Sequence, residues 1–196
     1  MNDTHSNDKT SIDTKARLID AATELFAKQG YDGTSTREIA AQADCNISLI
    51  NHYFGGKQGL LQAIVSGCFD VEEQELRALL ASGPTASGLV ARFIDFFFDL
   101  FYQHTYVMRI IQREIANMEN PTADYARDRI SANLEMIAEL IQRDQGLRPS
   151  EVSPRALANM IVGMVSFCLL DKNELNSRAS VRGAKDFIKS CFLIVK

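Results

Sequence analysis

Residues 30–60, GYDGTSTREIAAQADCNISLINHYFGGKQGL, leave room for two short helices and a tight turn between them. The spacing predicts a first helix over Thr36–Ala43, where Ile39, Ala40 and Ala43 recur at helical intervals and their small size lets a second helix cross closely. Asp44 and Cys45 make the turn, and Asn46 carries the side chain that caps a new helix start. The second helix, Ile47–Phe54, is long enough to lie across a DNA groove. Ile50 and Phe54, four apart, face inward. Ser48, Leu49, Asn51, His52 and Tyr53 then surround the outer face, a mixture of hydrogen-bonding groups and one apolar contact suited to base edges and phosphates.

The flanks extend this pair into a small domain. Thr14–Gln29 reads as an amphipathic helix with Leu18, Ala22, Leu25 and Phe26 on one stripe, and Gly30 stops it. Across the segment Gly30, Thr34-Ser35-Thr36, Arg37, Ile39-Ala40, Ala43, Tyr53-Phe54, Lys57 and Leu60, the sequence resembles the TetR family of transcriptional regulators. Three positions depart from the family pattern: Asp44 stands in place of a turn Gly, Ser48 in place of Gly, and Asn51 in place of Tyr. Asp tolerates the left-handed backbone that Gly would supply, so the turn survives, whereas Asn51 alters the reading surface. The resemblance implies DNA-binding residues Ser35, Thr36, Arg37, Ile47, Ser48, Leu49, Asn51, His52, Tyr53 and Lys57. In that reading Arg37 and the outer face of the second helix set sequence preference. Thr36, Tyr53 and Lys57 hold phosphates.

Charge does not itself point to nucleic acid. The chain carries 21 basic and 25 acidic side chains, a formal charge of −4, and within Gly30–Lys57 only Arg37 and Lys57 oppose Asp32, Glu38 and Asp44. Affinity for DNA would have to rest on a few placed side chains, backbone N–H groups and helix dipoles, doubled in a dimer.

Beyond Lys57 the breaks parse into helices, and no strand-like alternation occurs, so the fold class is all-α. Helices are expected over Lys57–Leu80, Leu89–Tyr102, Tyr106–Met118, Thr122–Gln145, Arg155–Asp171 and Val181–Val195. The domain plan has four parts. Residues 1–11 form a disordered polar tail, 12–57 a three-helix helix-turn-helix DNA-binding domain, 58–80 a connecting helix, and 81–196 a helical bundle for ligand binding and dimerisation. The tail has no signal-peptide character. The longest apolar run, Leu89–Tyr102, is interrupted by Arg92, Asp95 and Asp99 and falls short of the ~20 residues that cross a membrane. Four scattered cysteines, Cys45, Cys68, Cys168 and Cys191, form no CxxC pair and read as reduced, buried thiols, which suits the cytoplasm.

Leu89–Tyr102 is apolar nearly all round, with Phe93, Phe97 and Phe101 on one stripe, and must be buried on several sides. Such a stripe is core packing or a ligand chamber. The resemblance implies the second, with Met108, Ile111, Met136 and Leu140 completing an adaptable lining for an apolar or aromatic inducer; Tyr102, His104, Arg109, Arg113 and Glu114 are either its polar anchors or solvated or paired surface groups. The last two helices carry more apolar residues than a monomer covers. By the same resemblance Leu157, Met160, Ile161, Met164, Phe187, Ile188 and Cys191 form a homodimer interface.

Catalytic and metal chemistry finds no footing. The histidines, His5, His52 and His104, have no partner at ligand spacing, and no GxSxG, P-loop or dinucleotide glycine pattern occurs. Asp95 and Asp99, one turn apart, read as a wetted edge rather than a cation site. No cofactor is expected. The expectation is a ligand-responsive repressor that binds a palindromic operator in double-stranded DNA as a homodimer and is released by a small-molecule inducer, without membrane association. The alternatives are an all-α carrier or enzyme that does not bind DNA, and the same fold answering to a protein or to nothing.

Overall fold

The computed structural model describes the backbone of residues 4–82, 88–116, 121–144, 151–168 and 178–193, with most of their side chains. These form nine helices: α1 Thr4–Gln29, α2 Thr36–Gln42, α3 Ser48–Phe54, α4 Lys57–Ala81, α5 Leu89–Gln103, α6 Thr105–Ala116, α7 Pro121–Arg143, α8 Pro154–Cys168 and α9 Arg178–Phe192. The chain is all-α. The ends expected at Met118, Gln145, Asp171 and Val195 lie outside the described residues. At the start the expectation of a disordered tail through residue 11 is corrected. Helix α1 extends back to Thr4.

The chain divides into two compact units, and the division falls inside α4. One unit is Met1–Cys68 with Tyr106–Ala126, the other Phe69–Thr105 with Arg127–Lys196. The first is built on α1 packed against α2, with Leu18, Ala22, Phe26, Ile39, Ala40, Ile50, Leu60 and Leu61 in its core. Helix α6 belongs to this unit and not to the C-terminal bundle in which the domain plan places it. Arg113 explains part of that attachment. It lies over the turn after α1 so closely that a Cβ on Gly30 would sit 2.6 Å from its Nη1. Gly30 is also left-handed, at φ +82°, and closes α1 by donating its N–H to the Phe26 carbonyl at 2.9 Å.

The second unit is organised around α5, which packs against α8 and α9. Leu89, Val90, Phe93, Ile94, Phe97, Phe98, Leu100 and Phe101 are all buried, as an all-round apolar helix requires. Its start needs an outside partner, since Gly88 carries no capping side chain. Asp144, from the end of α7, accepts the Gly88 N–H at 3.0 Å and the Val90 N–H at 2.8 Å through its two carboxylate oxygens. Arg143 reaches the Leu80 carbonyl in the last turn of α4 at 3.0 Å. One α7 terminus thus satisfies the ends of two other helices.

On the outer side, Lys185 and Lys189 of α9 pair with Asp99 and Asp95 of α5, each at 2.6 Å. The two aspartates stand on a solvent-exposed edge, as expected, and there they also pair with the lysines of α9.

Candidate functional site

Local chemistry sets the helix-turn-helix. Ser35 caps α2 and Glu38 reaches back, so the Glu38 N–H meets Ser35 Oγ at 3.2 Å while the Ser35 N–H meets Glu38 Oε2 at 2.8 Å. The Ser35 N–H holds the Glu38 carboxyl below the ordinary glutamate range. This Ser-x-x-Glu signature stood in the sequence and was missed there. Asp44 adopts φ +49° and makes the left-handed turn that substitutes for Gly. Asn46 then turns its Oδ1 onto the Ser48 N–H at 2.9 Å and the Ser48 hydroxyl at 2.8 Å. The first turn of α3 is tight, with Leu49 and Ile50 donating to the carbonyls three residues back. Ile47 therefore precedes the regular helix, which starts at Ser48.

The far end of α3 is equally constrained. Gly55, at φ +72°, donates its N–H to the Asn51 carbonyl. A Cβ on Gly59 would lie 1.8 Å from the Phe54 carbonyl oxygen, so α3 and the first turn of α4 meet backbone to backbone.

The expected DNA-binding residues share one surface of the first unit only in part. Ile47, Ser48, Asn51 and His52 are exposed along α3, Leu49 and Tyr53 are half-buried beside them, and Ile50 is buried beneath. His52 and Tyr53 stack edge to face at 4.9 Å, which limits the rotamers of both. Arg37 is exposed and Thr36 half-buried in the first turn of α2. Ser35 is committed to its cap. Lys57, expected to hold a phosphate, spends its ammonium internally: Nζ donates to the Tyr31 and Thr34 carbonyls, both at 2.9 Å, and lies 4.1 Å from the Tyr31 ring centroid. It ties the start of α4 to the loop between α1 and α2.

Residues 18–64 match the family model for bacterial regulatory proteins of the tetR family. Over this N-terminal region the chain is similar to the TetR family. The chain is 35% identical over 107 residues to the "Probable HTH-type transcriptional regulator YttP" of Bacillus subtilis, covering 53% of this chain and 51% of that one. It is 32% identical over 111 residues to the HTH-type transcriptional repressor SCO4008 of Streptomyces coelicolor, covering 57% and 53%. The chain therefore spans about half the length of these curated relatives. Likeness of fold reaches further: AibR, solved in complex with isovaleryl coenzyme A and operator DNA, superposes with a TM-score of 0.74 at 20% identity, over 90% of this chain and 97% of that one.

In the second unit the expected chamber residues are closely packed. Phe93, Phe97, Phe101 and Leu140 are buried and Met136 is half-buried. The three rings lie in series, Phe93 stacked on Phe97 with centroids 5.2 Å apart and Phe97 tilted against Phe101 at 4.0 Å. Met108 and Ile111 are buried too, but in α6 of the first unit. Of the expected anchors, Tyr102, His104, Arg109 and Arg113 are exposed, and the Glu114 side chain lies outside the described residues. A cleft of about 400 Å³ on this unit is polar instead, lined by Asp95, Val181, Arg182, Lys185, Asp186 and Lys189.

The expected interface residues separate into two sets. Ile161 and Ile188 are 1% and 0% exposed, so both are consumed in their own unit's core. That corrects their assignment to a surface shared with a second copy: the inward stripes of α8 and α9 carry them. Met160, Phe187 and Cys191 point outward, Leu157 and Met164 are half-buried, and Phe167, another apolar residue of α8, is 78% exposed. None of the four cysteines is fully buried, contrary to expectation: three are half-buried and Cys191 is exposed. No described helix is long and apolar enough to cross a membrane.

Proposed function

We propose that this chain is a TetR-type transcriptional repressor, binding a palindromic operator as a homodimer and released by a small inducer. The observation that carries the reading is the outer face of α3. Ser48, Asn51 and His52 stand exposed on a short helix fixed by the Asn46 cap, the Asp44 turn and the Gly59 contact. A rigid seven-residue helix with hydrogen-bonding groups on its free side is what a major groove accepts. Arg37 and this face read bases. Ser48 keeps hydroxyl lone pairs for a base or phosphate after donating to Asn46, and Thr36 and Tyr53 approach the backbone.

Two such heads per operator require a dimer. Met160, Phe167 and Phe187 are 52%, 78% and 64% exposed on α8 and α9, a costly display unless a second copy covers it. We assign the interface to these residues with Leu157, Met164 and Cys191. An apolar or aromatic inducer enters the second unit near Phe97, Phe101, Met136 and Leu140. It favours a dimer state whose heads no longer match the ~34–36 Å spacing of successive major grooves.

The test is an electrophoretic shift of the DNA upstream of the chain's own gene, footprinted for two-fold symmetry, followed by release with compounds found by thermal shift. A footprint spanning two half-sites one helical turn apart, or a multiple of that, supports the reading. Absence of any sequence-specific shift at low salt rejects it in favour of a carrier or enzyme on the same fold.

A further inference from the structure

The outer face of α3 carries a narrower choice of groups than DNA binding alone requires. Over Ile47–Phe54 there is no Arg or Lys and no Asp or Glu. Guanine is read best by a fork of donors from Arg or Lys on O6 and N7, and cytosine by a carboxylate that accepts from its N4 amino group. Neither kind of group stands on this helix. It displays instead an amide, Asn51, and one large apolar side chain, Ile47, which is 42% exposed while Ile50 beneath is 1%.

Both are held in place. Ile47 sits between the Asn46 cap and the first turn of α3, at φ −56° and ψ −30°, and its carbonyl accepts the Ile50 N–H at 3.2 Å. Its branched Cβ leaves few rotamers, so the backbone sets where the side chain goes. Asn51, one turn later, shares its column on the helix. The Asn51 backbone carbonyl is taken by the Gly55 N–H, but among the described residues its side-chain amide has no hydrogen-bond partner. The adjoining turn, Gly55-Gly56, has no side chain to occupy that amide, and a Cβ on Gly56 would stand 3.5 Å from Asn51 Oδ1. A single exposed isoleucine is ordinary on a protein surface. The shared column with an uncommitted amide gives this one a specific setting.

We propose that this column reads A·T pairs at the centre of each half-site: Asn51 takes an adenine, and Ile47 packs on the C5 methyl of a thymine. Adenine N7 accepts from Asn51 Nδ2 while the N6 amino group donates to Oδ1, a two-bond match that no other base offers in the major groove. Four residues of helix rise about 6 Å, so the adenine and the methyl fall within about two base pairs of one another. Ser48 and His52 bond one group at a time and suit several bases. A guanine contact falls to Arg37, exposed on α2. The inference rests on the reading that α3 enters an operator, and it names the bases met there.

The test begins with the full chain and a pool of random-sequence duplexes, from which bound sequences are enriched. In the enriched half-site each thymine is then replaced singly by uracil, which removes only the C5 methyl, and each adenine by 7-deazaadenine, which removes the N7 acceptor. One uracil should weaken binding about fourfold, the worth of one buried methyl group, and one 7-deazaadenine within about two base pairs of it about tenfold. Ile47→Ala should abolish the uracil effect and keep the other, Asn51→Ala should do the reverse, and Ile47→Val, which keeps an apolar contact, should retain both. Both side chains are exposed, so the variants should melt with the parent. Enriched half-sites in which either replacement is without effect at every position, or an effect that persists in the matching alanine variant, would overturn the assignment and keep the regulator. Failure to enrich any sequence would reject the regulatory reading and this one with it.

Discussion

Glu72→Gln isolates the cost of a carboxyl at a core position of α4. Burial pushes this group from 4.5 to about 7, against the opposing pull of the Asn133 amide and the Arg129 charge. Between those values the folded chain holds a proton that the unfolded chain releases. Stability from this group is therefore complete below pH 4.5, declines as pH rises, and reaches its floor above pH 7. At about 1.4 kcal/mol per pH unit, the full penalty is on the order of 3 kcal/mol. Glutamine has the shape of the protonated acid and does not titrate. Urea unfolding of both proteins at pH 5.5 and pH 8 should show the variant gaining about 2 kcal/mol on the parent between the two conditions. Glu73 does not confuse the window, because Arg77, and then Arg129, holds its carboxyl below the ordinary range. A stability difference between variant and parent that stays constant from pH 5.5 to pH 8 would refute the argument.

Three further outcomes are expected. Lys57→Met should lower stability by about 1–2 kcal/mol, the worth of charge-assisted bonds in a half-buried setting, while leaving the salt slope of operator binding unchanged; unchanged stability with a slope smaller by about 1 would return Lys57 to the phosphates. Gly59→Ala places a methyl group against the Phe54 carbonyl and should cost about 3 kcal/mol with loss of operator binding, so a variant of parental melting temperature and affinity would contradict the backbone contact. Phe187→Glu alters a side chain that is 64% exposed in its own chain, so the variant should fold and sediment as a monomer with weakened operator binding; an intact dimer would move the interface off α9.

Features governed by short-range chemistry were legible from the residues. Asp44 has the φ it needs, Asn46 caps the next helix, Ile50 is buried, and α5 is buried all round, because turn preference and apolar periodicity act within a few residues. The Ser35 and Glu38 capping box is equally local.

Partners distant in sequence were not legible. Lys57 gave no sign that it would meet carbonyls 23 and 26 residues earlier, nor Asp144 that it would cap a helix 54 residues before it. Nothing local showed that the exposed Asp95 and Asp99 meet Lys189 and Lys185 of α9, nor that Ile161 and Ile188 lie on the buried stripes of α8 and α9. Glu72 and Asn133 illustrate the division most directly. Each sits at an apolar position of its own helix, which the sequence states, but only the packing of α4 and α7 puts one against the other. A helix's own pattern decides which face turns inward, and the tertiary fold decides what that face meets.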